Sequence, residues 1–269
     1  MDLDAYFARI GYTGSREPTR ATIDAIADAH VRSIPFENLD VLLGRPIELA
    51  LPALEAKLVG ARRGGYCFEH NSLMLEVLAQ LGFTVRPLSA RVRIGRAREY
   101  TPARTHLFVR VDELEGDSWL VDVGVGGSSL TSAIRLALDV EQPTPHEPRR
   151  IIRVGGLYYH QVRYGDEWTD VNEFTLEEMP PIDRIVANWY TSAHPESHFK
   201  SRLIVARAER EAGRLTLVNR ELSVRTRAGV AKRLIETPDH LLEVLARDFG
   251  LVFPAGTTFP YAALDWSAP

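Results

Sequence analysis

Two changes of period along these 269 residues predict an α+β fold. Helical spacing of apolar residues dominates up to about Gly82. Period-two alternation takes over from about Thr84 to Asp170, and the last third returns to short strands followed by one helix.

Residues 3–10, 19–33 and 52–59 read as helices set apart by Gly and Pro. A fourth helix follows Cys67, where Met74, Val77, Leu78 and Leu81 recur at i, i+3, i+4 and i+7 and Gly82 stops the pattern. Residues 84–88, 105–111, 118–123, 151–154 and 158–164 then read as strands of a barrel or curved sheet, with Pro143, Pro145 and Pro148 marking a loop. Residues 202–208, 214–218 and 221–226 suggest a small antiparallel sheet, and residues 238–249 a closing helix. There is no internal repeat and no low-complexity tract.

Composition narrows the classes of function. With 45 % hydrophobic residues the chain can bury a substantial core, enough for roughly two domains or one large one. Thirty-two basic residues against 36 acidic ones leave a net charge of −4, so no global field favours nucleic acid. No stretch approaches the ~20 consecutive apolar residues of a membrane span. Met1-Asp2-Leu3-Asp4 lacks the basic start of a signal peptide. A soluble, cytoplasmic protein without nucleic-acid or membrane partners is expected.

Cys67 is the only cysteine, so it cannot form an internal disulfide. It stands in Arg63-Gly64-Gly65-Tyr66-Cys67-Phe68-Glu69, at or near a helix N-terminus, where free backbone N–H groups and the positive dipole end favour an anion. A free thiol titrates near about 8.5, and a helix N-terminus with an imidazolium brings such groups to roughly 3.5 to 7.5. The same N–H groups suit the oxyanion of an acyl-transfer intermediate. An inert buried cysteine is the competing reading.

A nucleophilic thiol needs a histidine. Of the eight available, His106 lies in the β-rich run Thr105-His106-Leu107-Phe108-Val109-Arg110-Val111, and a second run follows, Ser118-Trp119-Leu120-Val121-Asp122-Val123. A hairpin symmetric about Leu114 would set Val109 opposite Trp119, Leu107 opposite Val121 and His106 opposite Asp122. The carboxylate could then fix the imidazole tautomer and stabilise its charged form, as the third member of a catalytic triad does. His70, three residues past Cys67, is a rival base without an evident orienting carboxylate.

These residues resemble the arylamine N-acetyltransferase family. Its signatures are matched by Ile34-Pro35-Phe36-Glu37-Asn38-Leu39, by the Arg63 to Glu69 run, by Thr105-His106-Leu107 and by Leu120-Val121-Asp122-Val123-Gly124. A weaker echo runs from Asn188-Trp189-Tyr190-Thr191-Ser192 to Ser197-His198-Phe199. The resemblance implies a catalytic triad of Cys67, His106 and Asp122 in a cysteine-protease-like arrangement. It implies a helical bundle carrying the nucleophile over 1–83, a central β-barrel carrying His and Asp over 84–187, and an interdomain segment with a C-terminal α/β lid over 188–269. The length suits the bacterial-type members.

The resemblance further implies ping-pong transfer of acetyl from acetyl-CoA to an aromatic amine or hydrazine, without a metal, by a monomer or homodimer. Coenzyme A would lie against Thr105, Gly126, Gly127 and Ser128, and Phe36 and Phe199 would line the acceptor pocket. An ion pair between Arg63 and Glu37, braced by Asn38, is implied near the site. Amide synthase, cysteine hydrolase and non-catalytic binding protein are the alternatives.

Two further patterns are weak. Arg91-Val92-Arg93-Ile94-Gly95-Arg96-Ala97-Arg98 is expected to be a solvated loop, with a docking rim for an anionic cofactor as the alternative. His194 and His198 have metal-like spacing, but Pro195 interrupts it and no further ligand is evident.

Overall fold

The computed structural model describes residues 1–211, 213–261, 264 and 266. Capping side chains start the first two helices. Asp2 accepts from Ala5 N ahead of α1 (Leu3–Ile10), and Thr19 from Thr22 N ahead of α2 (Arg20–Ser33). Tyr6, Phe7 and Ile10 of α1 are buried in one core with Ile23, Ile26 and Ala27 of α2. Next come a two-residue strand β1 (Phe36–Glu37) and two short helices, α3 (Leu39–Leu42) and α4 (Leu51–Leu54).

The predicted helix over 52–59 needs correction. After Leu54 the backbone widens into a π-helical turn over Glu55–Gly60, closed by Ala61 N on Ala56 O at 2.8 Å. The Leu58 carbonyl in this turn accepts from Arg9 Nε at 2.9 Å, a tertiary contact that the apolar spacing did not encode. Helix α5 (Cys67–Gln80) then runs through the core.

Seven strands form the central sheet: β2 (Thr84–Val92), β3 (His106–Leu114), β4 (Asp117–Val121), β5 (Ile134–Arg135), β6 (Arg149–Val154), β7 (Leu157–Tyr164) and β8 (Glu167–Glu178). Their order is β5-β4-β3-β2-β8-β7-β6. The segment after β5 bonds to β6, through Asp139 N to Ile151 O (2.8 Å) and Gln142 N to Arg149 O (2.7 Å), so the sheet is a nearly closed barrel. Alternation assigns the faces. Leu88, Ala90, Phe108, Leu120, Ile151 and Phe174 share one barrel core, while Leu107, Val109, Val111 and Val121 join the core of α5, with Met74, Val77 and Leu78.

Beyond the barrel, α6 (Pro181–Ala193) leads to a second sheet of β9 (Ile204–Ala208), β10 (Arg214–Val218), β11 (Glu221–Thr226) and β12 (Gly229–Leu234), covered by α7 (Pro238–Phe249). Its order is β1-β9-β10-β11-β12, with Phe36 opposite Ala206. A strand from the N-terminal helical part therefore edges the C-terminal sheet and ties the two together. The architecture is α+β, as predicted. No helix among the described residues is long and apolar enough to cross a membrane.

A buried polar chain runs through the helical core. Tyr6 Oη donates to His30 Nδ1 (2.8 Å), His30 Nε2 to His70 Nδ1 (2.7 Å), and His70 Nε2 to Pro35 O (3.2 Å). The terminal carbonyl only accepts, which sets this direction and keeps both imidazoles neutral. Burial lowers the pKa of His30 well below its ordinary value, of His70 to about 4, and of His160 inside the barrel to about 3.

The consequence is acid lability. Below about 6.5 the unfolded chain protonates these three histidines while the folded chain does not, so stability falls as pH drops from about 6.5 towards 4. A tenfold weakening of proton binding on folding corresponds to about 1.4 kcal/mol, so His70 and His160 together account for several kcal/mol. Urea midpoints should fall steeply between pH 7 and pH 5. His160→Gln is expected to reduce that dependence by about one proton.

Candidate active site

Cys67 is the first residue of α5, and the cap behind it is closed by Glu69, whose Oε2 accepts from Tyr66 N at 3.0 Å. Glu69 N already bonds to Tyr66 O at 3.0 Å, which leaves the N–H groups of Cys67 and Phe68 without an intrahelical acceptor. Lys57 holds Glu69 at 2.6 Å and Asp40 at 2.8 Å, while Arg63 holds Glu37 at 2.6 Å and Asp40 at 3.2 Å. The Arg63–Glu37 pair is therefore present. Burial, opposed by Lys57, pushes the Glu69 carboxyl up to about 7. Asn38 braces the same region by donating to Phe199 O (2.8 Å) and Arg202 O (2.7 Å).

The segment after β4 closes against the start of α5. A Cβ on Gly124 would stand 2.8 Å from Cys67 Cα and 2.7 Å from Asn71 Nδ2, so only glycine permits this approach. Opposite it, Cys67 Sγ donates to Thr105 O at 3.5 Å. The barrel thus delivers its chemistry to the helix end from two sides.

His106 and Asp122 meet there, but through a different register. Val109 pairs with Val121, Arg110 with Leu120 and Val111 with Trp119, two places away from a hairpin symmetric about Leu114. The register shifts between Val111 and Leu114, an irregularity at the hairpin end that no alternation reveals. A displacement of two keeps every side chain on its predicted face. His106 and Asp122 become diagonal neighbours, and His106 Nε2 still donates to Asp122 Oδ2 at 2.7 Å. The ring's Nδ1 is left for the sulfur, whose hydrogen bond and charge also act on the imidazole.

The aspartate is fully engaged. Its Oδ1 accepts from Asn71 Nδ2 (3.1 Å) and Gly124 N (3.2 Å), holding the carboxyl below its usual range together with His106, against the effect of burial. Burial opposes charge on His106 too, but the Asp122 carboxylate prevails and raises the imidazole to about 10. Asn71 also donates to Leu107 O (2.7 Å) and accepts from Val123 N (3.2 Å), joining α5, β3 and the end of β4. Sequence reasoning passed over Asn71. Its signal was position, four residues after Cys67 and hence on the same helix face.

His70 points away, to His30 and Pro35 O, with no carboxylate partner among the described residues, and burial lowers its pKa to about 4. Phe36 and Phe199 stand 6.1 Å apart, with Tyr66 5.5 Å from Phe199. They form one aromatic cluster in the same buried core as Cys67. The glycine-rich segment is less open than its composition suggests: the bare face of Gly127 is met by Thr216 Oγ1, 2.8 Å from an added Cβ, and Ser128 is buried with its hydroxyl 3.3 Å from Tyr164 Oη. Gly126 remains half-buried.

The arginine run leaves β2 at Val92 and is, from Ile94 to Arg98, the expected exposed loop, but it is tied down at both ends. Arg93 is buried on Glu173 (2.5 Å), and Arg98 grips Asp170 at 2.6 and 3.0 Å. Arg96 stays exposed over Tyr100. These arginines fasten the loop to β8, beside a surface cleft of about 370 Å³ lined by Arg93, Arg96, Arg98, Trp168 and Asp170. None of the predicted site residues lines it. No cluster of metal-ligating side chains occurs among the described residues.

A thiol at a helix N-terminus, next to an imidazole held by a buried carboxylate, is equipped for acyl transfer through a thioester. The model of the N-acetyltransferase family matches residues 19–257, and the chain belongs to that family. It is 45 % identical over 256 residues to the arylamine N-acetyltransferase of Mycolicibacterium smegmatis, covering 93 % of this chain and 92 % of the relative. The arylamine N-acetyltransferase of Escherichia coli is 39 % identical over 250 residues, covering 93 % and 88 %. Among solved structures, that of the M. tuberculosis arylamine N-acetyltransferase superposes with a TM-score of 0.90 at 42 % identity over 93 % of both chains. That of the M. marinum enzyme in complex with CoA gives 0.89 at 39 % identity, covering 93 % of this chain and 92 % of the other.

Proposed function

We propose that this protein is an arylamine N-acetyltransferase that moves acetyl from acetyl-CoA to an aromatic amine or hydrazine through an acetyl-Cys67 intermediate. The observation that carries the reading is the convergence of Cys67, His106 and Asp122 where the barrel meets the N-terminus of α5. In the first step the Cys67 thiolate attacks the acetyl carbonyl, and coenzyme A leaves as its sulfur takes the proton held by His106. In the second step the acceptor nitrogen attacks the thioester, loses a proton to His106 and expels the Cys67 sulfur. Backbone N–H groups at the start of α5 would receive each oxyanion.

Asp122 keeps the imidazole oriented throughout. Phe36 and Phe199 would bury the flat ring of the acceptor while its nitrogen reaches the thioester. Coenzyme A would approach along Thr105 and the backbone of Gly126, Gly127 and Ser128. In this reading residues 1–83 supply the nucleophile, 84–187 the base and its orienter, and 188–269 the lid.

The test is acetyl-CoA turnover with and without an aromatic hydrazine. Transfer predicts one equivalent of coenzyme A released without acceptor and sustained release only with it. Equal sustained release in both assays would identify a cysteine hydrolase instead.

A further inference from the structure

The backbone ahead of Cys67 is held by a carboxylate that the acetyl-transfer steps do not use. Glu69 is 1 % exposed, and a Cβ on Gly65 would stand 2.6 Å from its Oε2, so the carboxylate lies against the chain just before the nucleophile. Its Oε2 accepts from Tyr66 N at 3.0 Å and its Oε1 from Lys57 Nζ at 2.6 Å. Lys57 comes from the π-helical turn Glu55–Gly60, a distortion that recurs at functional sites.

We infer that Glu69, pinned by Lys57, is a positioning residue for acyl transfer. It fixes the Gly65–Tyr66 peptide, and with it the direction in which the sulfur and the Cys67 and Phe68 N–H groups point. This role rests on the acetyl-transfer reading and is exerted through the backbone alone.

The charges around Glu69 make the hold dependent on pH. Three buried carboxylates, Glu37, Asp40 and Glu69, share Lys57 and Arg63, with Arg45 reaching Asp40 from the exposed side at 3.1 Å. Arg63 binds Glu37 and Asp40, so Lys57 is the cation of Glu69. Burial, reinforced by Glu37 and opposed by Lys57, leaves the Glu69 carboxyl at about 7. Burial opposes charge on Lys57 too, but Glu69, Glu37 and Asp40 outweigh it and keep the ammonium charged. Oε2 needs a lone pair for Tyr66 N, so a proton taken up by Glu69 goes to Oε1, where the new O–H and the ammonium face each other. The carboxylate therefore holds the peptide above about 7 and loses its hold as pH falls through that value. His106, raised to about 10, does not titrate in this range.

Acetyl uptake by Cys67, followed by rapid quench and intact mass from pH 6 to pH 8.5, tests this role. Acetyl-CoA is used as donor and, in parallel, p-nitrophenyl acetate, which needs no coenzyme A site. Wild type should speed up about ninefold between pH 6 and pH 8, the change in ionised fraction of a group titrating at about 7. Glu69→Gln keeps an acceptor for Tyr66 N but turns its NH₂ on Lys57. It should acetylate at least about tenfold more slowly at pH 8, with no step near 7. Adding Lys57→Met removes the facing donor and should restore the rate to within about threefold, still without the step. A step that persists in Glu69→Gln would overturn the role of Glu69, as would a double variant no faster than the single one. Uptake from the aryl ester but not from acetyl-CoA would instead overturn the coenzyme A reading, and the ester profile would still decide for or against Glu69.

Discussion

Cys67→Ala is expected to take up no acetyl group from acetyl-CoA, while wild type gains one acetyl increment that an aromatic amine or hydrazine removes faster than water does. Intact-protein mass spectrometry before and after adding acceptor reads both halves. The steady-state kcat/KM should fall by at least about 10⁴-fold, because residues acting as one nucleophilic unit are lost together. Fold and stability should change little. The sulfur is buried, but its contact with Thr105 O is long, and the aromatic cluster of the same core stands without it. Acetylation of Cys67→Ala at the wild-type rate would remove Cys67 from the mechanism.

The helix N-terminus around Cys67 was legible because glycines before it and apolar spacing after it are local signals. The His106–Asp122 pair was legible for a weaker reason. Side-chain parity along two strands survives a register displacement of two, so the predicted face was correct although the partners were not. The contacts that complete the site were hidden because they join distant segments through polar side chains. Asn71 bridges α5 to Asp122, and Lys57 links Asp40 to Glu69. Nothing in periodicity encodes such bonds.

Whole elements were missed where the usual link between burial and pattern is broken. Strand β12 is exposed along its full length, so no buried face imposes alternation. Strand β8 places Asn172 on the barrel side between Phe174 and its other neighbours, and a polar residue there interrupts the apolar alternation. Helix α6 turns its larger apolar residues outward, so its spacing marks a surface instead of a core.

Asp122→Asn should lower kcat/KM by about 10⁴-fold while leaving the fold intact, because it changes which nitrogen of His106 carries the proton. Asp122 Oδ1 accepts from two donors, Asn71 Nδ2 and Gly124 N, so the carbonyl oxygen of the new amide must stay on that side. Its NH₂ then faces His106 Nε2, which has to become an acceptor. The proton moves to Nδ1, the nitrogen that faces the sulfur, and no basic site is left there to take a proton from the thiol or the acceptor amine. The charge effect acts in the same direction. In wild type the carboxylate raises His106 to about 10, so the imidazolium persists through neutral pH, and the pair contributes stability that is full below about 6.5 and lost as pH rises through 10. Without the carboxylate, burial, the largest influence on the imidazole, is opposed by the Cys67 sulfur only, and the ring is expected to be neutral at pH 7. Nitrogen-15 spectra of the histidines should therefore show a charged His106 in wild type and the neutral Nδ1–H form in Asp122→Asn. Single-turnover acetylation should slow in step. A variant that acylates within tenfold of wild type would mean that the ring is oriented by its stacking on Phe108, at 6.2 Å and 12°, and that the carboxylate is dispensable.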